Sequence, residues 1–132
     1  MLEASNFLLG NHDFRNFCRV TLSNPVKHFF RTIHSISIET IDSEFCTLTV
    51  IGNAFLHNQI RNIASVLVSV GLGYEDISIV EKLLNINEYP DKPAYSLLSG
   101  LPLILYDCAY ENVEWQSPSM KHNGFSKQKH KF

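Results

Sequence analysis

Residues 30–41 read FRTIHSISIETI, a stretch in which apolar and polar side chains alternate. Alternation with a period of two, together with many β-branched residues, predicts a half-buried β-strand. The polar residues 42–44 follow, and residues 45–51 (FCTLTVI) return to an apolar pattern. Two such runs joined by a short polar turn predict an antiparallel hairpin. This region therefore decides that the fold contains an antiparallel sheet.

The sequence on either side of the hairpin supplies helices and one more strand. Before it, residues 2–9 have the character of a helix end stopped by Gly10. Residues 11–24 are predicted to form an irregular segment or short strand with two aromatic anchors, Phe14 and Phe17. After it we predict a helix over residues 55–70, a shorter amphipathic helix over 75–85 and a third strand over 101–110 (LPLILYDCAY). The predicted fold class is α+β, an antiparallel sheet with helices packed on one face, in a ferredoxin-like or RRM-like order.

Length and composition limit the organisation of the chain. Its 132 residues, 45% of them hydrophobic, suffice for one domain with a core. We predict that this domain covers residues 1–116 and that residues 117–132 are a disordered basic tail. The longest apolar stretch, residues 60–72, is too short to span a bilayer. With no signal-peptide pattern, we expect an intracellular protein, in the nucleus, the cytoplasm or both.

The three cysteines and the net charge exclude several classes of protein. The cysteines are widely separated, with no C-x-x-C pair, so we predict reduced thiols and no zinc site. The net charge of −2 hides an asymmetry, because four lysines and no acid lie in the tail, which leaves seven basic against thirteen acidic residues in the body. An acidic body argues against a free-standing nucleic-acid-binding domain.

Basic residues concentrate in one part of the body, residues 11–31, where Arg15, Arg19, Lys27 and Arg31 stand against Asp13 alone. If the domain contacts RNA, this part does so. A solvated charged face is the simpler alternative.

Arg61 is unusual because it lies within the predicted apolar helix, in the stretch GNAFLHNQIRNIA at residues 52–64. An arginine cannot lose its proton to escape an apolar site, so its burial requires an anionic partner. A surface salt bridge is the alternative interpretation of this residue.

The stretch at residues 52–64, followed by VGLG at 70–73, resembles the C-terminal motif of the tRNA pseudouridine synthase A superfamily. Three further runs resemble the eukaryotic branch that modifies tRNA positions 38 and 39, and the likeness covers residues 2–115. These runs are residues 10–18 (GNHDFRNFC), residues 83–86 (LLNI) with 92–96 (KPAYS), and residues 102–108 (PLILYDC) with 111–115 (ENVEW).

The resemblance implies an enzyme that detaches a uracil from its ribose in folded tRNA, turns it and rejoins it through carbon 5, without cofactor or metal. In this family the catalytic aspartate lies in a Gly-Arg-Thr-Asp motif of the N-terminal half, and the arginine matching Arg61 pairs with it. None of the five aspartates here follows Arg-Thr. We therefore predict a C-terminal half of a pseudouridine synthase fold that is inactive without its N-terminal half. Homodimerisation is a further expectation from the family.

Other site residues are also implied by the resemblance. Leu103 and Leu105 are expected to form an apolar wall against the flipped uracil, and Asn53 and Phe55 to line the same cleft. Asn58 stands where relatives usually carry a histidine and cannot titrate near neutral pH, so it is expected to contact substrate or cap the helix. Ordinary core roles are the alternatives for Leu103, Leu105 and Phe55.

The four basic residues of the 11–31 region, Arg15, Arg19, Lys27 and Arg31, are candidates for contacts with tRNA backbone phosphates, together with His12 and His28.

Two functions of other classes compete with this interpretation. A small α+β domain could be a non-catalytic dimerisation or small-ligand regulatory module, in which Arg61 would pair with an acid of its own chain such as Glu39 or Asp107. A tRNA-binding accessory domain is the second, although the acidic body conflicts with it unless the tail provides affinity.

Overall fold

The computed structural model describes residues 1–20 and 26–114. Three strands form one antiparallel sheet in the order β1-β2-β3. The strands are β1 (Gly10–Asp13), β2 (Phe30–Thr40) and β3 (Cys46–Gly52), and the helices are α1 (Leu2–Ser5), α2 (Gln59–Gly71) and α3 (Ile79–Leu84). Two short 3₁₀ helices cover Asn6–Leu8 and Arg15–Phe17. The fold is α+β, as predicted.

The central hairpin is confirmed. Strand β2 pairs with β3 from Ile33 opposite Gly52 to Thr40 opposite Cys46, with a register shift between Ile33 and Ser35. Asp42 closes the turn, because its Oδ1 accepts hydrogen bonds from the backbone N–H groups of Glu44 and Phe45, both at 2.8 Å. A side chain that bonds its own backbone in this way stabilises the turn without help from the rest of the fold.

The core lies between the sheet and the helices. Ile33 of β2 is buried with Leu8, with Phe14 and Phe17, and with residues of α2 and α3. The rings of Phe14 and Phe17 meet edge to face with centroids 5.9 Å apart. The expectation that these two phenylalanines anchor an irregular segment is confirmed, since both are fully buried.

Both predicted helices exist, but each is shorter than its pattern. Helix α2 begins at Gln59 rather than at residue 55, and α3 begins at Ile79 rather than at residue 75. Asn58 takes a left-handed conformation with φ of 60°, which interrupts helical geometry and fixes the start of α2. The predicted N-terminal helix ends earlier, at Ser5, and continues as a 3₁₀ turn.

The predicted third strand over residues 101–110 is wrong. These residues form a turn and then an irregular extended segment without ladder pairing, and the side chains of Leu101 and Leu105 are 94% and 80% exposed. Strand propensity stabilises a strand when a neighbouring strand supplies hydrogen bonds and a surface to pack on. No other strand of the described residues lies against this segment.

The domain boundary at residue 116 stays a prediction, because the tail over residues 117–132 lies outside the described ranges. Within the described ranges, none of the helices has the length and apolar character needed to cross a membrane.

Replacing Phe17 by alanine should lower the free energy of unfolding by about 3–5 kcal/mol, because it removes a fully buried ring and leaves a cavity. Urea unfolding followed by circular dichroism measures the change. Phe45→Ala is the matched control, since Phe45 is 64% exposed and its loss should cost less than about 0.5 kcal/mol. Equal losses in the two variants would contradict this assignment of the core.

Candidate active-site surface around Arg61

The start of helix α2 determines the geometry of this surface. Asn58 adopts the left-handed conformation there, which asparagine and histidine both tolerate better than most residues. Its carbonyl oxygen accepts two hydrogen bonds from Asn62, one from the backbone N–H and one from Nδ2, each at 2.9 Å. The side chain of Asn58 is left free to point along the helix toward Arg61.

Arg61 is half-buried, and neutral oxygen atoms hold it. Its Nε donates to the carbonyl oxygen of Leu98 at 2.8 Å, and its Nη1 donates to Oδ1 of Asn58 at 3.3 Å. Among residues 1–20 and 26–114, no carboxylate forms an ion pair with this guanidinium, and neither Glu39 nor Asp107 does so. The acid that the regulatory-module hypothesis requires is therefore not found in the described part of the chain.

A loop after α3 covers one side of Arg61. Ser65, one turn further along α2, donates from Oγ to the carbonyl oxygen of Arg61 at 2.8 Å and accepts from the backbone N–H of Leu98 at 3.0 Å. At Gly100, a Cβ atom would lie 3.5–3.7 Å from the guanidinium end of Arg61. The loop thus contacts the side chain of Arg61 directly and its backbone carbonyl through the hydroxyl group of Ser65. Sequence reasoning missed Ser65, although a serine on an apolar helix is a signal for such a contact.

Two other predicted cleft residues, Asn53 and Phe55, lie at the end of β3. Oδ1 of Asn53 forms a hydrogen bond with Nε2 of His34, and the Phe55 ring lies beside Gly52. A Cβ atom at Gly52 would be 2.7 Å from the carbonyl oxygen of Thr32, so glycine is needed where the chain leaves the sheet. None of the hydrogen bonds found among the described residues joins Asn53 to Arg61.

Leu103 and Leu105 lie in the irregular segment that follows Gly100, and both are exposed. The N–H of Leu103 donates to the carbonyl oxygen of Gly100 at 3.1 Å, which closes a turn next to Arg61. The structure therefore brings Asn58, Arg61 and the 98–100 loop together. The substrate roles predicted for Asn53, Phe55, Leu103 and Leu105 stay predictions.

The four predicted phosphate contacts divide into two kinds. Arg15 pairs with buried Asp13, with Nη2 and Oδ2 2.7 Å apart, and its guanidinium lies 5.1 Å from the centre of the Phe29 ring. Arg31 donates from Nη1 to the carbonyl oxygens of His28 and Phe30. Arg19 and Lys27 are exposed, and within the described ranges their side chains have no hydrogen-bond or ion-pair partner.

The Asp13–Arg15 pair changes the titration of the carboxyl group. Burial by itself raises the pKa of Asp13. The hydrogen bonds from Arg15 and its positive charge together lower the pKa by more than burial raises it, so the net pKa lies below the ordinary 3.8. The backbone N–H of Arg15 also donates to Asp13 Oδ1 at 3.0 Å. The pair thus fixes the bend between β1 and the following 3₁₀ helix.

Comparison with known proteins identifies the class. Residues 4–111 match the tRNA pseudouridine synthase family, so this chain belongs to that family. It is 38% identical over 123 residues to the human tRNA pseudouridine(38/39) synthase, covering 85% of this chain and 26% of that protein. The corresponding enzyme of Saccharomyces cerevisiae is 36% identical over 120 residues, covering 91% of this chain and 27% of that protein.

An archaeal relative extends the likeness. The tRNA pseudouridine synthase A of Methanosarcina barkeri is 39% identical over 117 residues, which is 86% of this chain and 40% of that protein. The chain thus spans about a quarter of the length of these two eukaryotic relatives and two fifths of this archaeal one.

Replacing Asp13 by asparagine should lower the free energy of unfolding near pH 7 by about 1–2 kcal/mol, a value between those of exposed and buried ion pairs. Because the folded-state pKa is depressed, the contribution is present above pH 4 and is lost as the pH falls through the folded-state value. Unfolding measured from pH 7 to pH 2.5 should show the wild type and the variant converging below about pH 4. Glu44→Gln, at an exposed turn, is the control; a gap for Asp13→Asn that does not depend on pH would contradict the pairing.

The left-handed conformation of Asn58 predicts a difference between two substitutions. Asn58→Gly should cost less than about 0.5 kcal/mol, since glycine adopts positive φ freely, whereas Asn58→Ala should cost about 1–2 kcal/mol. Thermal unfolding of the two variants measures this difference. Equal stabilities would show that the backbone at Asn58 is not constrained.

Proposed function

We propose that this chain is the C-terminal part of a tRNA pseudouridine synthase that converts uridine to pseudouridine at positions 38 and 39, in the anticodon stem–loop of tRNA. The observation that best supports this proposal is the environment of Arg61. Its positively charged side chain is half-buried, and among the described residues only neutral oxygens bind it. Such a group is suited to receive a carboxylate from another segment. The family membership and the names of the eukaryotic relatives support this substrate.

In this proposal the catalytic aspartate comes from an N-terminal half that precedes the aligned region. Arg61 then has two effects on the incoming carboxylate. Its positive charge lowers the pKa of the aspartate and keeps it ionised, and its donor geometry orients the carboxylate. Leu98 O and Asn58 Oδ1 hold the guanidinium before the carboxylate arrives, so little reorganisation is required.

The remaining predicted residues take roles around the same centre. The segment with Leu103 and Leu105 is extended and exposed, as is needed for an apolar wall that closes over a uracil taken out of its stack. Asn53, Phe55 and Asn58 are proposed to line that cleft. We also propose that the three-stranded sheet is part of a ferredoxin-like half of the complete synthase fold and that no metal or cofactor takes part. The proposed enzyme works in the nucleus, the cytoplasm or both, and it forms a homodimer.

Arg19 and Lys27 are the better candidates among the four proposed tRNA backbone contacts, because their charges are not paired within the described ranges. Arg15 would have to share its charge with Asp13, and Arg31 would have to give up its backbone contacts. The regulatory-module alternative is not favoured, because neither Glu39 nor Asp107 pairs with Arg61.

A chimera tests the proposed function. The matching segment of the Saccharomyces cerevisiae synthase is replaced by residues 1–114 of this chain, and pseudouridine at positions 38 and 39 is measured in tRNA. We expect activity from the chimera and none from this chain alone. Arg61→Ala in the chimera should lower the rate by about 10²–10³-fold, while Arg61→Lys should retain part of it, because lysine keeps the charge without the planar donor fork.

Two outcomes would contradict the proposal. Pseudouridine formed by the isolated chain would show that no further segment is required. A chimera that folds and binds tRNA but forms no pseudouridine would remove this chain from the site of reaction.

A further inference from the structure

A cavity away from Arg61 collects basic side chains from two parts of the chain. Its volume is about 460 Å³, and it lies between the 3₁₀ helix Arg15–Phe17 and residues 90–92. Its lining includes Arg15, Arg19, Phe29, Asp91 and Lys92. This volume is within the usual range for sites that hold small ligand groups.

Lys92 is held in place by a neutral partner. Its Nζ donates to Oδ1 of Asn62 at 2.6 Å, and Nδ2 of Asn62 donates in turn to the carbonyl oxygens of Phe17 at 3.0 Å and Asn58 at 2.9 Å. Asn62 is 2% exposed, so its amide is a rigid support. A lysine ammonium has three donors, and the hydrogen bond to Asn62 leaves two of them for a ligand.

The environment of Lys92 favours an added anion. Partial burial lowers the pKa of its ammonium group, and within residues 1–20 and 26–114 no carboxylate pairs with it. A negatively charged group in the cavity would reverse that effect, because it stabilises the protonated form.

The charges around the cavity can be counted. Arg15 is paired with Asp13, and Arg19 and Lys92 line the cavity together with one carboxylate, that of Asp91. The excess is one positive charge. A phosphodiester of a nucleic-acid backbone carries one negative charge, so the cavity and one backbone phosphate are matched in charge.

We propose that this cavity binds one backbone phosphodiester of the RNA substrate, with Lys92 and Arg19 as its ligands. The proposal rests on the proposed function for the identity of the polymer. Lys92 lies outside the basic 11–31 region of the sequence, and the long loop after α3 brings it to the cavity beside Arg15 and Arg19. The contact positions the RNA relative to α2, because Asn62 joins Lys92 to the same helix that carries Arg61. Like other phosphate contacts it does not read sequence.

The experiment measures binding of an anticodon stem–loop RNA to the 132-residue chain by fluorescence anisotropy at several salt concentrations. Lys92→Gln should weaken binding roughly five- to tenfold at low salt and reduce the slope of log affinity against log salt by about 0.9. Glutamine can still donate to Asn62, so the fold is kept, and circular dichroism verifies this. The loss should be equal for a stem–loop of unrelated sequence.

Three variants serve as controls. Lys82→Gln removes an exposed lysine of α3 that borders a separate depression together with Glu81 and Glu88, and it should leave affinity and slope unchanged. Lys92→Arg should keep most of the affinity. Asp91→Asn should tighten binding, because it removes the one unpaired carboxylate of the cavity lining.

The site is overturned if the wild-type chain does not bind the RNA, or if Lys92→Gln has the salt slope of the wild type. Competition by micromolar inorganic phosphate would identify a site for a small phosphate and would equally overturn the RNA assignment. These outcomes are independent of the chimera assay. A Lys92-dependent salt slope with an inactive chimera would reject the proposed function alone, whereas an active chimera with an unchanged slope would reject the phosphate site alone.

Discussion

The guanidinium of Arg61 carries a positive charge on a half-buried side chain, and neutral oxygens of Leu98 and Asn58 hold it. The charge needs hydrogen-bond acceptors, and the residues around it are arranged to supply them. Asn58 must turn into the left-handed region to begin α2 and to place its Oδ1 near the guanidinium, and the 98–100 loop must fold back over the helix to supply its carbonyl oxygen. Ser65 holds that loop through a second hydrogen bond. The charge is therefore oriented, and within residues 1–20 and 26–114 no acid pairs with it.

Asn62, the next residue of the same helix, performs a related task. A buried amide must have its hydrogen bonds satisfied, and Asn62 satisfies its own with the backbone of Phe17 and Asn58 and with Lys92. It thereby joins the segment after β1, the start of α2 and the loop after α3. These three parts are distant in sequence. Because all of them form hydrogen bonds with the side chain of Asn62, that residue fixes where the basic cavity lies relative to Arg61.

Local sequence patterns were sufficient to predict an element whose own residues stabilise it. The alternation in residues 30–41 and the Asp42 turn define the hairpin without reference to the rest of the chain. Helix ends were predicted less well, since the left-handed residue at position 58 is not visible in hydrophobic periodicity. The 101–110 segment has the composition of a strand but no neighbouring strand among the described residues, and composition does not reveal whether a partner is present.

The sequence by itself determined the α+β class, the hairpin, the two aromatic anchors and the position of Arg61 in a largely apolar helix, because each follows from side-chain period or burial preference. The tertiary structure decided which groups meet. It paired Arg15 with Asp13, left Arg61 without an acid in the described ranges, and brought Lys92 to Asn62 across 30 residues. Such contacts depend on how a loop returns to a helix, and loop paths are set by long-range packing that no local pattern encodes.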